Sequence, residues 1–380
     1  MKPKQFAAVL VIAAGLVPGL SAQVKSAHYE IFAPEETGDA SIEMEQRFQG
    51  YNRIFRFDPS LLAAPLRVRI FTQQEEYDSY VSLRLGNTRP GAVYLHYDNP
   101  AFRELVVHRG GEEEARLLPH QAFIQFLRAF VPQPPAWIRE GFASYFNSLV
   151  FNRETETLEY TENLDWLDAA KNAPADPQEV LLADAENMPQ DFQARAWSLV
   201  AFFAGAGDPG PEKPDYRRAL TDAFMVLSPS ASTEENTRAV YNRIKLAAGM
   251  DELKRDHDGY LDSKKSFIDL INEGQRAYGN KDFAAAAERF REAAKLKPGH
   301  YASYYYQGLL AYEDRNYAGA EEFYKTAMEK GGDRALIQYA LGVNAVAAGK
   351  TGEAAALLEE AAADPGTYGK RAGELLKRLR

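Results

Sequence analysis

A 34-residue period runs through the last third of the chain and limits what that third can become. Gly274, Gly308 and Gly342 stand 34 residues apart. Ala277, Ala311 and Ala345 keep the same step, as do Ala286, Ala320 and Ala354, and Ala293, Ala327 and Ala361. A bulky column of Phe290, Tyr324 and Leu358 runs in register with them. A fixed period of this length marks one supersecondary unit stacked on copies of itself. Each unit reads as two short helices. The Gly and the first Ala let the helices approach closely, the second Ala packs in their crossing, and the bulky residue plugs the gap to the next copy. Asn280 and Lys281, Arg315 and Asn316, and Gly349 and Lys350 mark the turns between helices. Pro298 ends the first unit, because a proline inside a helix breaks it.

This pattern resembles the tetratricopeptide repeat (TPR), three copies of it, within residues 259–380. The basic stretch 370–380 matches the solubilising cap such arrays need. In that family the first helix of each unit lines a concave groove. The resemblance therefore places Ile271, Tyr278, Tyr305, Tyr312, Tyr339 and Val346 towards the groove, as residues that bind a protein or peptide partner. Aromatic side chains suit that role, since they bury a large area at little entropic cost.

The other end of the chain reads as a secretory leader, residues 1–22. Lys2 and Lys4 give a charged start, residues 6–17 are apolar, and the small residues Gly19, Ser21 and Ala22 follow. Such a run is shorter than the roughly 20 residues a membrane helix needs. No later segment is long and apolar enough to cross a membrane, so no membrane span is expected once the leader is removed. The chain has no Cys, which removes disulfides, thiolate metal sites, a thiol nucleophile and the lipid-bearing Cys of a bacterial lipoprotein. An exported protein, periplasmic or secreted, is expected. The net charge is −10. Residues 1–258 hold 26 basic and 37 acidic side chains, and residues 259–380 hold 18 and 17, so neither part offers a basic surface for nucleic acid.

Residues 26–150 alternate strand and helix signals. Strands are expected over 28–33, 66–71, 91–97 and 104–108, and helices over 42–57, 75–83, 112–130 and 136–150. The last two helices carry His120-Gln121-Ala122-Phe123-Ile124 and then Pro135-Ala136-Trp137-Ile138-Arg139-Glu140-Gly141-Phe142-Ala143-Ser144-Tyr145-Phe146. This pair resembles the gluzincin metallopeptidases, in particular the "peptidase MA-like" domains, whose pattern is HExxH followed by a Trp-x-x-Glu-Gly helix. The resemblance spans residues 23–258 and is far closer in the second helix than in the first.

In such a site two histidines one helical turn apart and a glutamate on the next helix hold zinc, and the motif glutamate is the general base. Here His120 fits the first ligand and Glu140 the third. Ile124 stands where the second histidine belongs and has no lone pair to give. Gln121 stands where the base belongs, and an amide takes no proton near neutral pH. His96, His108 and the run Glu112, Glu113 and Glu114 are the nearest donors for a compensating set; the acidic run is more simply a solvated helix start, where negative charge is favourable. No catalytic residue, no metal site and no cofactor is therefore expected. Neither a Gly-x-Ser-x-Gly elbow nor a phosphate-binding GxxxxGK[ST] loop occurs.

The expected fold is an α+β gluzincin-like domain ending in a helical subdomain, then an all-α TPR superhelix, joined by a charged helix over 251–265. The expected function is that of an exported non-catalytic scaffold. Its peptidase-like part keeps a cleft and an edge strand at 91–97, to which an extended peptide adds as a further strand, and its TPR groove holds a partner. Two readings compete: a zinc metallopeptidase with an altered metal-ligand set, and an envelope assembly factor that uses the array alone.

Overall fold

The computed structural model describes residues 22–34, 39–111, 113–152, 154–155, 157–160, 166–172, 176–184, 188–189, 191–206 and 213–379. The expected leader lies outside them, apart from the backbone of Ala22. A small mixed sheet with helices lies near the N-terminus, and a long stack of helices forms the C-terminal part. Two compact units result: Met1–Glu162 with Ala175–Arg255, and Asn163–Pro174 with Asp256–Arg380.

The first unit opens with β1 (Ala22–Lys25), β2 (Tyr29–Ala33), α1 (Ala40–Phe55), β3 (Leu66–Phe71), α2 (Gln74–Leu85), β4 (Ala92–Leu95), β5 (Glu104–His108), α3 (Glu114–Phe130) and α4 (Ala136–Tyr145). The sheet order is β1-β2-β3-β5-β4, parallel from β2 to β5, with an antiparallel strand at each edge. Side chains alternate across it. Phe71, Leu95 and Val106 point to one face and pack with Tyr77, Tyr80 and Val81 of α2. Val68, Ile70, Leu105 and Val107 point to the other face and are buried, where α1 and α3 contact the strands.

An aromatic core joins α1, α3 and α4. Phe48, Tyr51 and Phe55 meet Phe123, Phe126 and Phe130, and Phe142 and Phe146 close the cluster. A buried ionic knot sets where α3 begins. The Arg109 guanidinium donates to Glu43 (2.8 Å), Glu114 (3.0 Å) and Asp39 (3.0 Å), while Arg47 holds the other oxygen of Glu43 at 2.7 Å.

The helix expected over 136–150 stops at Tyr145. A hairpin of β6 (Leu149–Asn152) and β7 (Thr157–Tyr160) follows. Leu149, Val150 and Phe151 prefer strand, and the Asn152 side chain accepts from the Glu154 and Thr155 N–H groups to close the turn. Next come α5 (Leu167–Asn172), α6 (Pro177–Leu181), α7 (Phe192–Gly205), α8 (Tyr216–Phe224), α9 (Thr233–Ala248) and α10 (Met250–Ser263). The expected division at 258/259 falls inside α10; the units part between Arg255 and Asp256.

The short helix α5 departs from the expected layout, because it belongs to the second unit. Leu167 is fully buried there. Lys171 donates to the Lys264 carbonyl (2.8 Å) and to Asp269 (2.7 Å), and Asp168 pairs with Lys297 at 3.3 Å.

The second unit continues as α11 (Phe267–Gly279) with α12 (Phe283–Leu296), α13 (Tyr301–Glu313) with α14 (Tyr317–Glu329), α15 (Arg334–Ala347) with α16 (Thr351–Ala362), and a last helix α17 (Thr367–Leu379). The columns explain the pairing. Ala286, Ala320, Ala354, Ala293, Ala327 and Ala361 have no exposed surface, and Phe290, Tyr324 and Leu358 are buried to 1% or less. A Cβ at Gly274 would overlap the Phe290 ring, one at Gly308 would meet the Tyr324 ring at 2.5 Å, and one at Gly342 would lie 2.7 Å from the end of Leu358. The bulky residue thus fills the crossing inside its own pair, rather than only the gap to the next; Phe290 does both, stacking on Tyr306 at 4.8 Å.

The turns repeat as well. Asp282, Asn316 and Lys350 each donate N–H to the carbonyl of Ala277, Ala311 and Ala345, at 2.9 Å in every case. That bond needs a left-handed residue just before it. Lys281 (φ 62°), Arg315 (φ 58°) and Gly349 (φ 77°) take this position.

Two outcomes test this. Gly308→Ala should cost about 1–3 kcal/mol by overpacking, measured by urea unfolding. In a Tyr324→Val background, where the ring is gone, that cost should disappear. Arg315→Gly should stabilise the chain by about 1 kcal/mol through relief of left-handed strain, in the same measurement.

Candidate functional site

α3 carries the first motif segment. Its inner face, Leu118, Ala122, Phe123, Phe126, Leu127 and Phe130, is buried, and the Tyr51 hydroxyl donates to the Pro119 carbonyl (3.2 Å) beside the first motif position. The helical period puts His120, Ile124 and Arg128 on a second face, where all three are half-buried. α4 carries the second segment. Trp137 and Ile138 are fully buried, and a Cβ at Gly141 would sit 2.6 Å from the Ala196 carbonyl of α7. The glycine of the Trp-x-x-Glu-Gly segment is thus required by helix packing.

The fold brings His120 and Glu140 together, with His120 Nε2 and Glu140 Oε2 3.5 Å apart. The other carboxylate oxygen accepts from Arg139 Nε at 2.6 Å. Burial acts to raise the Glu140 pKa, but the hydrogen bonds and charges of His120 and Arg139 outweigh it and lower it to about 2. Ile124 offers no donor to the pair. Gln121 is turned away from it: its Oε1 accepts the Tyr94 N–H of β4 at 3.0 Å.

The remaining candidates are engaged elsewhere. His96 Nδ1 lies 3.4 Å from the Tyr94 hydroxyl, and the His108 ring packs beside Tyr77 at 5.8 Å. Glu113 pairs with Arg116, and Glu114 with Arg109 and the Gly110 N–H; Glu112 lies outside the described residues. No group of three or more His, Asp or Glu is placed to hold a metal among the described residues. A zinc ion of the kind the resembling family carries does not fit this donor set, which provides one imidazole and a carboxylate already held by an arginine.

The outward donors of the edge strand are engaged as well. The His108 N–H bonds to the Gly91 carbonyl, so in the antiparallel ladder Ala92 and Tyr94 point their N–H groups outward. Both are used: Ala92 donates to the Pro90 carbonyl at 2.7 Å and Tyr94 to Gln121. An added peptide strand therefore finds neither donor free.

In the second unit the expected groove residues separate. Ile271 is core, packed with Phe267, Leu270 and Phe290, and is not a groove residue. Tyr278, Tyr305, Tyr312, Tyr339 and Val346 are half-buried on the first helices of the three pairs. The Tyr278 hydroxyl donates to Glu313 at 2.7 Å, and burial together with that bond raises its pKa well above the ordinary value. Tyr305 is likewise raised, first by burial and then by the neighbouring phenols of Tyr368, Tyr306, Tyr278 and Tyr339. These hydroxyls stay protonated donors. Tyr306 and Tyr368 were not anticipated. Tyr306 is the next residue after Tyr305, in a column that holds Asn272 and Ala340 in the other repeats, and Tyr368 lies on α17, outside the 34-residue step.

No family model matches the chain, and no curated protein matches it.

The Glu140 pair gives a pH test. A carboxylate with a depressed folded-state pKa contributes stability above its ordinary pKa and loses it as pH falls towards the folded value. The stability difference between the natural chain and Glu140→Gln should hold near neutral pH and shrink between 4.5 and about 2. Urea unfolding at stepped pH measures it, and parallel curves for the two proteins would contradict the assignment.

Proposed function

We propose that the chain is an exported binding protein: a gluzincin-like domain that has lost its chemistry, followed by a TPR array that holds an extended segment of a protein or peptide partner. The observation that carries this reading is the row of half-buried tyrosines, Tyr278, Tyr305, Tyr312 and Tyr339, on successive first helices. Rigid rings bury area at low entropic cost, and the Tyr305 and Tyr312 hydroxyls can donate to the carbonyls of an extended backbone. The 34-residue columns and the paired helices support the TPR assignment. The leader pattern in residues 1–22 supports export, to the periplasm or the medium. Gln121 tied to β4, Ile124 without a donor and Glu140 held by Arg139 support loss of catalysis over a zinc metallopeptidase with an altered ligand set. No cofactor and no nucleic acid enters this function. Among the described residues no helix is long and apolar enough to cross a membrane.

Peptides selected from a displayed random library against the mature protein test the array. The double variant Tyr305→Ala with Tyr312→Ala should lose at least tenfold in affinity for them, about 1.4 kcal/mol, with its helical circular dichroism unchanged. Full retention of binding would refute the groove. Stoichiometric zinc in protein purified without added metal, abolished by His120→Ala, would refute the non-catalytic part and favour the peptidase.

A further inference from the structure

Between α12, α13 and α14 lies a cavity of about 410 Å3, within the roughly 300–1,000 Å3 of small-ligand sites. Its lining is apolar along the middle: Phe283 and Ala287 of α12, Leu310 of α13 and Phe323 of α14. The Phe283 ring is 39% exposed, so a large apolar surface stands uncovered there. None of the tyrosines proposed to hold the partner lines this cavity.

Two contacts fix its ends. Tyr278 packs on the Phe283 ring at 5.6 Å and donates to Glu313 at 2.7 Å, so the start of α12 meets the end of α13. Phe290 stacks on Tyr306 at 4.8 Å, which puts the next residue on each helix, Arg291 and Gln307, at the opposite end. Along α13 seven residues separate Gln307 from Asp314, about 10 Å at the helical rise.

The charges divide by end. Arg291 is the only cation lining the cavity among the described residues. Its Nε donates to the Ala287 carbonyl at 3.1 Å, a neutral group, and its two Nη groups have no partner among the described residues. Glu313 and Asp314 line the other end. Glu313 accepts from the neutral Tyr278 hydroxyl, and no cation pairs with either carboxylate among the described residues. Glu313 is the last residue of α13 and Asp314 its cap, where the helix dipole favours a cation. The packing of the pairs does not call for these acids, since Gly279 and Asn280, and Ala347 and Ala348, hold the equivalent positions.

We propose that this cavity binds a free tripeptide with apolar side chains, its carboxylate on Arg291 and its ammonium between Glu313 and Asp314. Three extended residues span about 10 Å, which matches the separation of the charged ends. The apolar side chains cover Phe283 and Phe323 and remove that surface from water. Opposite charges at the two ends select a ligand that terminates there; a continuing chain would set uncharged main chain against both. The guanidinium fork matches the two oxygens of a terminal carboxylate. This site is independent of the tyrosine row and of the partner proposed for it.

Methyl-labelled leucine in the full chain provides the readout, with the Leu310 signal assigned through Leu310→Ile. The probes are Ala-Leu-Ala with free termini, its N-acetyl form, its C-terminal amide, the doubly capped form, and the free hexapeptide Ala-Leu-Ala-Ala-Leu-Ala. The Leu310 methyl should shift saturably with the free tripeptide. Either cap should weaken binding at least fivefold, and the doubly capped form and the hexapeptide should bind more weakly than the free tripeptide. Arg291→Gln and Asp314→Asn should each weaken the free tripeptide at least fivefold, and Arg291→Lys should keep part of the affinity. The amide should bind the natural chain and Arg291→Gln alike, because it has no carboxylate for Arg291 to hold. The double variant Tyr305→Ala with Tyr312→Ala should bind the tripeptide as the natural chain does. An unmoved Leu310 methyl, equal binding of the doubly capped form or of the hexapeptide, unchanged affinity in the two charge variants, or loss of binding in the double tyrosine variant would each overturn the proposal.

Discussion

The second unit depends on one steric condition, repeated three times: a first helix without a Cβ where a second helix presents its largest side chain. Gly274 faces Phe290, Gly308 faces Tyr324 and Gly342 faces Leu358, and in each pair an added methyl would enter the facing side chain. This contact sets the distance between paired helices. The buried alanines follow from it, since only small residues fit once the helices are that close. So does the turn, because the carbonyl of the first alanine column accepts the N–H that reverses the chain. With pair geometry settled in this way, the tyrosines of the first helices recur in two columns, Tyr278 with Tyr312 and Tyr305 with Tyr339, each at the 34-residue step.

The first unit shows the same kind of constraint serving a different end. Gly141 has no room for a side chain because the Ala196 carbonyl occupies it, and the aromatic core around Phe123, Phe126 and Phe142 fixes α3 against α4. These contacts hold His120 next to Glu140 whether or not any chemistry is performed there. Packing therefore accounts for this placement by itself, and Gln121 and Ile124 lie on the half-buried face of α3, where a change of residue disturbs the core little.

What was legible in the sequence follows from the range of the interactions. The 34-residue columns reveal the helix pairs, the buried alanines and the turns, because each is set within one repeat. The strands from β2 to β5 are legible from alternation, and the departure of Gln121 and Ile124 from the resembling pattern from residue identity alone. The rest depends on distant parts of the chain. Ile271 shares its register with Tyr305 and Tyr339, yet it turns into the core because Phe267 and Leu270 beside it build a local cluster with Phe290. The hairpin after α4 hides behind a helix-compatible stretch. The placement of α5 rests on Lys171 meeting Asp269 and Asp168 meeting Lys297, pairs about a hundred residues or more apart that no local pattern announces. A cut at 258/259 would strip this helix from the array it packs on.

Gln121 also ties α3 to the edge strand. An edge strand takes on a further strand through its outward N–H and C=O groups. The Gln121 side-chain oxygen takes the Tyr94 N–H, and the Pro90 main-chain carbonyl takes that of Ala92. A glutamate at 121 bound in the same way would be a poor base, since the hydrogen bond stabilises its charged form and lowers its proton affinity. The one contact thus engages both the side chain at the second position of the motif segment and an outward donor of the edge strand.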